Sequence, residues 1–376
     1  MITFNKPAVT GCEQNYLNQV FERGKFSGGG PFSVKCGQWL QAHFSMPGVF
    51  LTTSCTHSLE MAAIMCDLNT EDEIILPSYA FSSTATAFVR CGAKLVFVDI
   101  EPTTMNIDPE MVEAAVTPNT KVIVVLHYGG VACDMESISK IAKRHGLQIV
   151  EDAAQAMFST YRGRHCGTLG TFGCISYHES KNLHCGEGGA LICNDSDYGV
   201  RAEIILEKGT DRSRFFRGEV DKYTWIDVGS SYVLSELNAA FLLSQLEQGK
   251  QITTDRLNIW NDYYKCFQPL VEDGIIEVPR IPGDCQHNGH IFWIKTKDLN
   301  ERTRLMGFLA EKGIHSVFHY QPLHSSPAGQ KFGRFSGEDC FTTRESERLL
   351  RLPLFYGFDK VGFVSSAVKD FYHAKL

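Results

Sequence analysis

Lys121-Val-Ile-Val-Val-Leu-His127 and Leu147-Gln-Ile-Val-Glu-Asp152 decide how this chain reads. Each is a short, nearly unbroken apolar run that ends on a titratable side chain. A strand buried on both faces reads this way, without the polar-apolar alternation of a half-exposed strand. Between them Met135, Ile138, Ile141 and Ala142 fall on one helical face, Lys143 and Arg144 follow in a last turn, and Gly146 marks a stop. The pattern repeats outward through runs at Glu73–Leu76, Lys94–Asp99, Gly173–Tyr177 and Ala190–Cys193. On the N-terminal side Leu59, Ala62, Ala63 and Cys66 share another helical face. Strands alternating with amphipathic helices predict an α/β layer with a mostly parallel central sheet flanked by helices.

The pattern changes near residue 250. A long helical stretch, Gln251 to Phe267, precedes isolated strand patterns at Ile275–Val278 and His290–Lys295, a helix at Thr303–Lys312 and a strand at Ile314–Tyr320. We expect a large α/β domain over residues 1–250, with an N-terminal arm, and a smaller C-terminal α+β domain over 251–376. The chain's 376 residues suit two to three domains. With 36 basic and 43 acidic residues the net charge is −7, which disfavours nucleic acid as a partner. No apolar run approaches a membrane span, and the N-terminus shows no secretory signal pattern. Thirteen scattered cysteines without a Cys-x-x-Cys pair suit free thiols in a reducing cytoplasm and argue against a structural zinc site.

Ligands in open α/β sheets sit at the carboxyl ends of the strands, so the residues leaving each strand matter most. Asp152, followed by Ala-Ala-Gln155, is there a metal ligand, a base, a partner for a cationic ring nitrogen, or only a helix cap. Lys181 lies between a strand and the glycine-rich turn Cys185-Gly-Glu-Gly-Gly189, where a lysine could form a Schiff base with a carbonyl. Thr52-Thr-Ser-Cys-Thr-His-Ser58 opens a helix; free amides flanked by hydroxyls there suit a phosphate, or an ordinary cap. No P-loop is present, and Gly28-Gly-Gly30 lacks the strand and the spacing of a dinucleotide fingerprint. A phosphate cradle, a strand-end carboxylate and a loop lysine together are what pyridoxal 5′-phosphate requires.

Four stretches carry a closer likeness: Ser54-Cys-Thr-His-Ser-Leu-Glu60, Pro77-Ser-Tyr-Ala-Phe81, Glu151-Asp-Ala-Ala-Gln155 and Ser180-Lys-Asn-Leu-His-Cys-Gly-Glu-Gly-Gly189. With His127–Cys133, Phe215–Gly218, Lys222–Trp225, Gly229–Tyr232, His319–His324 and Arg348–Phe355, they resemble the DegT/DnrJ/EryC1/StrS sugar aminotransferases along nearly the whole chain. The Tyr-Thr-Trp and Gly-Ser-Ser-Tyr stretches are most similar to members that aminate C4 of TDP-4-keto-6-deoxyglucose. The resemblance implies a fold type I aminotransferase that uses pyridoxal 5′-phosphate, L-glutamate and a TDP-sugar, as a homodimer with shared active sites.

By the same resemblance Lys181 would bind the cofactor aldehyde and Asp152 its ring nitrogen, with Gln155 on the ring hydroxyl and Phe81 stacked on the ring. The backbone amides of Thr56 and His57 and the Ser176 hydroxyl would hold the phosphate. Where the family carries Gly-x-Asn-Tyr-Arg on the partner chain, this sequence reads Gly229-Ser-Ser-Tyr-Val233, so Ser231 would take the asparagine's place. Arg212, Arg214 and Arg217 form a basic cluster suited to a diphosphate, or a solvated loop. His319 and Tyr320, after a strand, are candidates for the sugar pocket. Sugar-nucleotide 3-dehydratases resemble the same family but replace the lysine by histidine; retention of Lys181 argues for amino transfer.

Overall fold

A computed structural model describes residues 1–46 and 48–373. Its centre is an eight-stranded sheet, in spatial order Gly48–Thr52, Gly189–Cys193, Phe172–Ser176, Gln148–Asp152, Thr120–Leu126, Glu73–Pro77, Lys94–Val98 and Gly333–Phe335. All neighbours are parallel except Gly189–Cys193, which runs against both of its partners. The six strands expected from the apolar runs are all present, with ends shifted by a residue.

The runs are apolar throughout because both faces of the sheet are covered. Ile123 and Val125 point into one core, with Leu40 and Phe44 of helix Pro31–Phe44, Ile138 and Ile141 of helix Met135–His145, and Leu242 and Leu246 of helix Glu236–Glu247. Val122 and Val124 point into the other, with Leu59 and Ala62 of helix Cys55–Met65, Phe88 of helix Ser82–Val89 and Ile205 of helix Gly199–Leu206. Helix Met135–His145 starts on the Asp134 carboxylate, which accepts from the Ser137 amide, and stops at Gly146 in the left-handed region (φ 68°).

The C-terminal segment builds a second core. Helix Gly249–Glu272 contributes Ile259, Tyr263 and Phe267, which pack with Phe292, Leu305, Leu350 and Val368. A three-stranded antiparallel sheet orders Phe292–Lys295, Leu349–Leu352 and Val317–Phe318. Two expected strands are shorter than the sequence suggests. In Ile275–Val278 only Glu277 pairs, across to Lys295; Gly274 before it is left-handed (φ 67°) and Pro279 after it has no amide to donate. In Ile314–Tyr320 only Val317 and Phe318 join the sheet, while Ile314 bridges Ile2 from the N-terminus. The two strands of the large sheet that local patterning did not reveal, Gly48–Thr52 and Gly333–Phe335, close its two edges. Among the described residues no helix is long and apolar enough to cross a membrane.

The triple glycine Gly28–Gly30 has a structural use. The buried Glu236 carboxylate accepts the amides of Phe32 at 2.9 Å, Ser33 at 2.8 Å and Gly30 at 3.2 Å. It thereby occupies the amino end of helix Pro31–Phe44. A Cβ on Gly30 would stand 2.5 Å from that carboxylate carbon and would push the carboxylate off these amides. Glu236→Ala strands these amides in the core. It should lower the unfolding free energy by about 3 kcal/mol, read as a lower denaturant midpoint with unchanged slope.

Candidate active site

The carboxyl ends of the parallel strands share one edge, and a cleft of about 600 Å³ opens there. The register aligns Thr52, Gly189 and Ser176 across this edge, with Asp152 opposite Leu126 beyond them. Lys181 enters from the loop joining Phe172–Ser176 to Gly189–Cys193. The opposite wall comes from the C-terminal segment, through His290, His319, Tyr320 and Arg351.

Asp152 ends its strand with the carboxylate buried. It accepts the Thr84 hydroxyl at 2.6 Å and the Ala154 amide at 3.1 Å. Burial pushes its pKa up, and these two bonds and the Lys181 charge pull against that. Burial likewise pushes the Lys181 pKa down, with Asp152 opposing it and Arg351 adding to it. A lysine shifted in this direction spends more of its time as a free amine, the form that attacks a carbonyl. Neither group has the environment of a solvated surface charge.

The phosphate end is built by helix Cys55–Met65. Ser54 caps it, its Oγ accepting the His57 amide at 3.1 Å. The remaining first-turn amides, those of Cys55 and Thr56, have no intrahelical acceptor, and both residues line the cleft. His57 does not line it. Its amide is engaged by Ser54, and its Nδ1 bonds the Thr53 hydroxyl while its ring packs 5.0 Å from that of Tyr232. The helix start thus offers Cys55 and Thr56 where Thr56 and His57 were expected. A Cβ on Gly189 would fall 2.5 Å from the Cys55 nitrogen, so the glycine-rich turn is what lets the lysine loop lie against this helix end. Ser176 completes this side from the end of its strand.

Phe81 precedes helix Ser82–Val89 and lines the cleft with 58% of its surface open. A large exposed ring in a cleft wall is a platform for a flat ligand. Gln155 is held at both ends: Oε1 accepts the Gly129 amide at 2.7 Å, and Nε2 donates to the Tyr320 hydroxyl at 2.8 Å. His319 stacks on Tyr320 at 3.6 Å between centroids, and its Nδ1 meets the Tyr128 hydroxyl at 3.1 Å. Pyridoxal phosphate fits this donor set. Helix amides and Ser176 suit the phosphate, Asp152 the ring nitrogen, Lys181 the aldehyde, Gln155 the ring hydroxyl, and Phe81 the ring face.

Other sequence candidates lie elsewhere. Ser231 is exposed, bridges to Glu207 through its backbone and does not line this chain's cleft. Arg212 and Arg214 lie on the short helix Arg212–Phe216 and Arg217 just after it, outside the cleft. Arg217 bonds Glu203 and Glu219, both at 2.6 Å, and Arg214 reaches Glu219 at 3.2 Å. Arg212 stands 3.9 Å from Glu207. Their charge is largely met within the chain. Residues that sequence reasoning missed include Thr84, Cys55, His290 and Arg351. Asn182, next to Lys181, accepts from His290 Nδ1 through its Oδ1 at 2.8 Å, tying the lysine loop to the far wall. The one sequence signal for Arg351 was its place in the Arg348–Phe355 stretch.

The chain is similar to known proteins along nearly its whole length. The model of the DegT/DnrJ/EryC1/StrS aminotransferase family matches residues 7–362. The spore coat polysaccharide biosynthesis protein SpsC of Bacillus subtilis is 32% identical, over 98% of this chain and 96% of its own. GDP-perosamine synthase of Caulobacter vibrioides is 29% identical, over 87% of this chain and 86% of its own. The aminotransferase TlmJ of Streptoalloteichus hindustanus superposes with a TM-score of 0.91 at 27% identity, covering 100% of both chains. The chain belongs to the DegT/DnrJ/EryC1/StrS aminotransferase family, whose cofactor is pyridoxal 5′-phosphate.

Proposed function

We propose that this sugar aminotransferase moves an amino group from L-glutamate to C4 of TDP-4-keto-6-deoxy-D-glucose. The products are 2-oxoglutarate and TDP-4-amino-4,6-dideoxy-D-galactose. The observation that carries amino transfer is the meeting of Lys181, Asp152 and the Cys55–Thr56 helix end in one cleft. A nucleotide sugar as acceptor is supported by likeness to GDP-perosamine synthase. The TDP-4-keto sugar is supported by the Lys222–Trp225 and Gly229–Tyr232 stretches.

When bound, pyridoxal phosphate supplies an electron sink that makes a C–H beside the amino group acidic. Asp152, fixed by Thr84 and Ala154, keeps the ring nitrogen protonated, the state in which the sink works. Lys181 Nζ holds the cofactor aldehyde at rest and then takes and returns the proton in each half-reaction. Phe81 and Gln155 orient the ring, and the helix end anchors the phosphate.

We read the molecule as a homodimer with shared sites, to which the exposed segment from Tyr223 to Ser231 contributes. Trp225 there is 78% open, and Ile226 and Val228 are more than half open. The division of the chain near residue 250 and a cytoplasmic location belong to the same reading; all thirteen cysteines are free thiols.

Three measurements test it. Borohydride reduction and peptide mapping should place the pyridoxyl label on Lys181, and Lys181→Ala should lower turnover by about 10³-fold or more; label on another lysine refutes the assignment. Asp152→Asn should keep the fold and lose at least about 10²-fold in kcat, whereas near-normal turnover would reduce this carboxylate to a helix cap. Mixing inactive Lys181→Ala with inactive Ser231→Trp should restore activity after subunit exchange, since one hybrid site then draws both residues from intact copies.

A further inference from the structure

The cleft holds a cation that the reading above leaves without work. Arg351 occupies the middle strand of the small sheet, opposite Trp293 on one side and Val317 on the other. Leu350 and Leu352 on either side of it enter the apolar core, and the Arg351 side chain faces the cleft instead. Its Nη2 donates to the Phe318 carbonyl at 3.3 Å. Its Nε is buried and has no hydrogen-bond partner. Among the described residues no carboxylate pairs with it, although Arg348 in the same stretch is bonded to both Glu277 and Glu345. A desolvated guanidinium facing only carbonyl and hydroxyl groups is costly, and such groups are normally paired.

The N-terminal segment holds this cation in place. The Arg351 guanidinium stands 4.7 Å from the centroid of the Phe4 ring. Phe4 and Asn5 line the same cleft. The segment is tied to the small sheet's side, where the Ile2 amide donates to Gly313 at 2.7 Å and the Ile2 carbonyl accepts from His315 at 3.0 Å. It is tied to the lysine side through the Ala8 carbonyl, which takes His184 Nε2 at 2.7 Å and Gln245 Nε2 at 3.0 Å. It is therefore a strap across the cleft, with Phe4 against the guanidinium.

We propose that Arg351, held by Phe4, binds the α-carboxylate of the amino donor. The assignment rests on the amino-donor half of the reaction proposed above. A free guanidinium edge suits a carboxylate bidentately. The α-carboxylate is separated by one carbon from the amino group that must reach the Lys181 position, and the Arg351 charge is near enough to push the Lys181 pKa down. A sugar nucleotide's diphosphate lies across a whole pyranose ring from the reacting C4, so it suits a more distant cation. The histidines of this wall do not compete. Burial holds His290 and His319 well below the usual imidazole range, which leaves them neutral.

The test uses the holoenzyme with Arg351→Gln, Arg351→Lys and Phe4→Ala. Calorimetric titration with glutarate, an unreactive dicarboxylate, reads the site without turnover. Arg351→Gln should raise the glutarate Kd and the L-glutamate KM by roughly 10- to 150-fold, the worth of one charge-assisted hydrogen bond. The KM for TDP-4-keto-6-deoxyglucose should change by less than about twofold, which also shows the variant to be folded. Arg351→Lys keeps the charge but loses the fork and should fall between, and Phe4→Ala should shift the donor terms alone. Unchanged glutarate and glutamate binding in Arg351→Gln overturns the proposal. So does an effect that falls on the sugar nucleotide instead, which would assign Arg351 to the diphosphate. A wild-type protein that binds glutarate through Arg351 yet aminates no nucleotide sugar would refute the proposed function and leave the carboxylate site standing.

Discussion

A parallel strand with apolar packing on both faces can present polar groups only where it ends, and the active site of this chain follows from that constraint. Val150 is fully buried in the sheet, and the chain becomes polar at Glu151 and Asp152, where the strand runs out. Ser176 leaves its strand at the same edge. Helix Cys55–Met65 begins there because the strand Gly48–Thr52 also runs in that direction. Antiparallel neighbours throughout would have scattered these ends over two edges. The single antiparallel strand, Gly189–Cys193, is the exception that serves the site: it starts at the same edge, opposite Ser176, so the loop before it stays at that edge and carries Lys181 over the cleft.

The edge is then made rigid by buried polar groups behind it. Glu151 accepts the amides of Leu169 and Gly170, both at 2.6 Å, and that of Gly167 at 2.7 Å, and it meets His127 Nε2 at 2.8 Å. His127 Nδ1 in turn accepts the Cys133 amide, which places its proton on Nε2. Every oxygen of this buried carboxylate is therefore satisfied, which is the condition for keeping it in a dry core. Asn288 donates to the carbonyls of Gln155 and Met157, both at 2.8 Å, and buried Arg256 holds the Gly289, His290 and Leu354 carbonyls. These bonds fix the wall from the C-terminal segment against the turn after Asp152. They explain how a cleft formed by distant parts of the chain keeps one shape.

The sheet, its helices and the presence of Asp152 and Lys181 in one cleft were legible because each is written in a local pattern. Six strands read as apolar runs, the helix Met135–His145 reads from its stripe and its glycine stop, and the lysine reads from its glycine-rich turn. Two other readings meet competing partners within the chain. His57 looked like a phosphate contact because its amide lies in the first turn, but Ser54 reaches that amide first. Arg212, Arg214 and Arg217 looked like an anion site because their neighbours in sequence are not their neighbours in space; Glu203 and Glu219 meet much of that charge.

The sequence by itself thus determined the layered α/β architecture, since periodicity is a local property of the chain, and its motifs carried the family resemblance that implies the cofactor and names Lys181 and Asp152 as its expected partners. The tertiary structure alone decided which groups converge on them. Thr84 reaches Asp152 from a helix 68 residues away, and Gly333–Phe335 leaves the C-terminal region to close the large sheet. Ile2 pairs beside Ile314, and Phe4 meets Arg351 from the opposite end of the chain. Such contacts form only when packing brings distant segments together, and no spacing in the sequence records the distance they close.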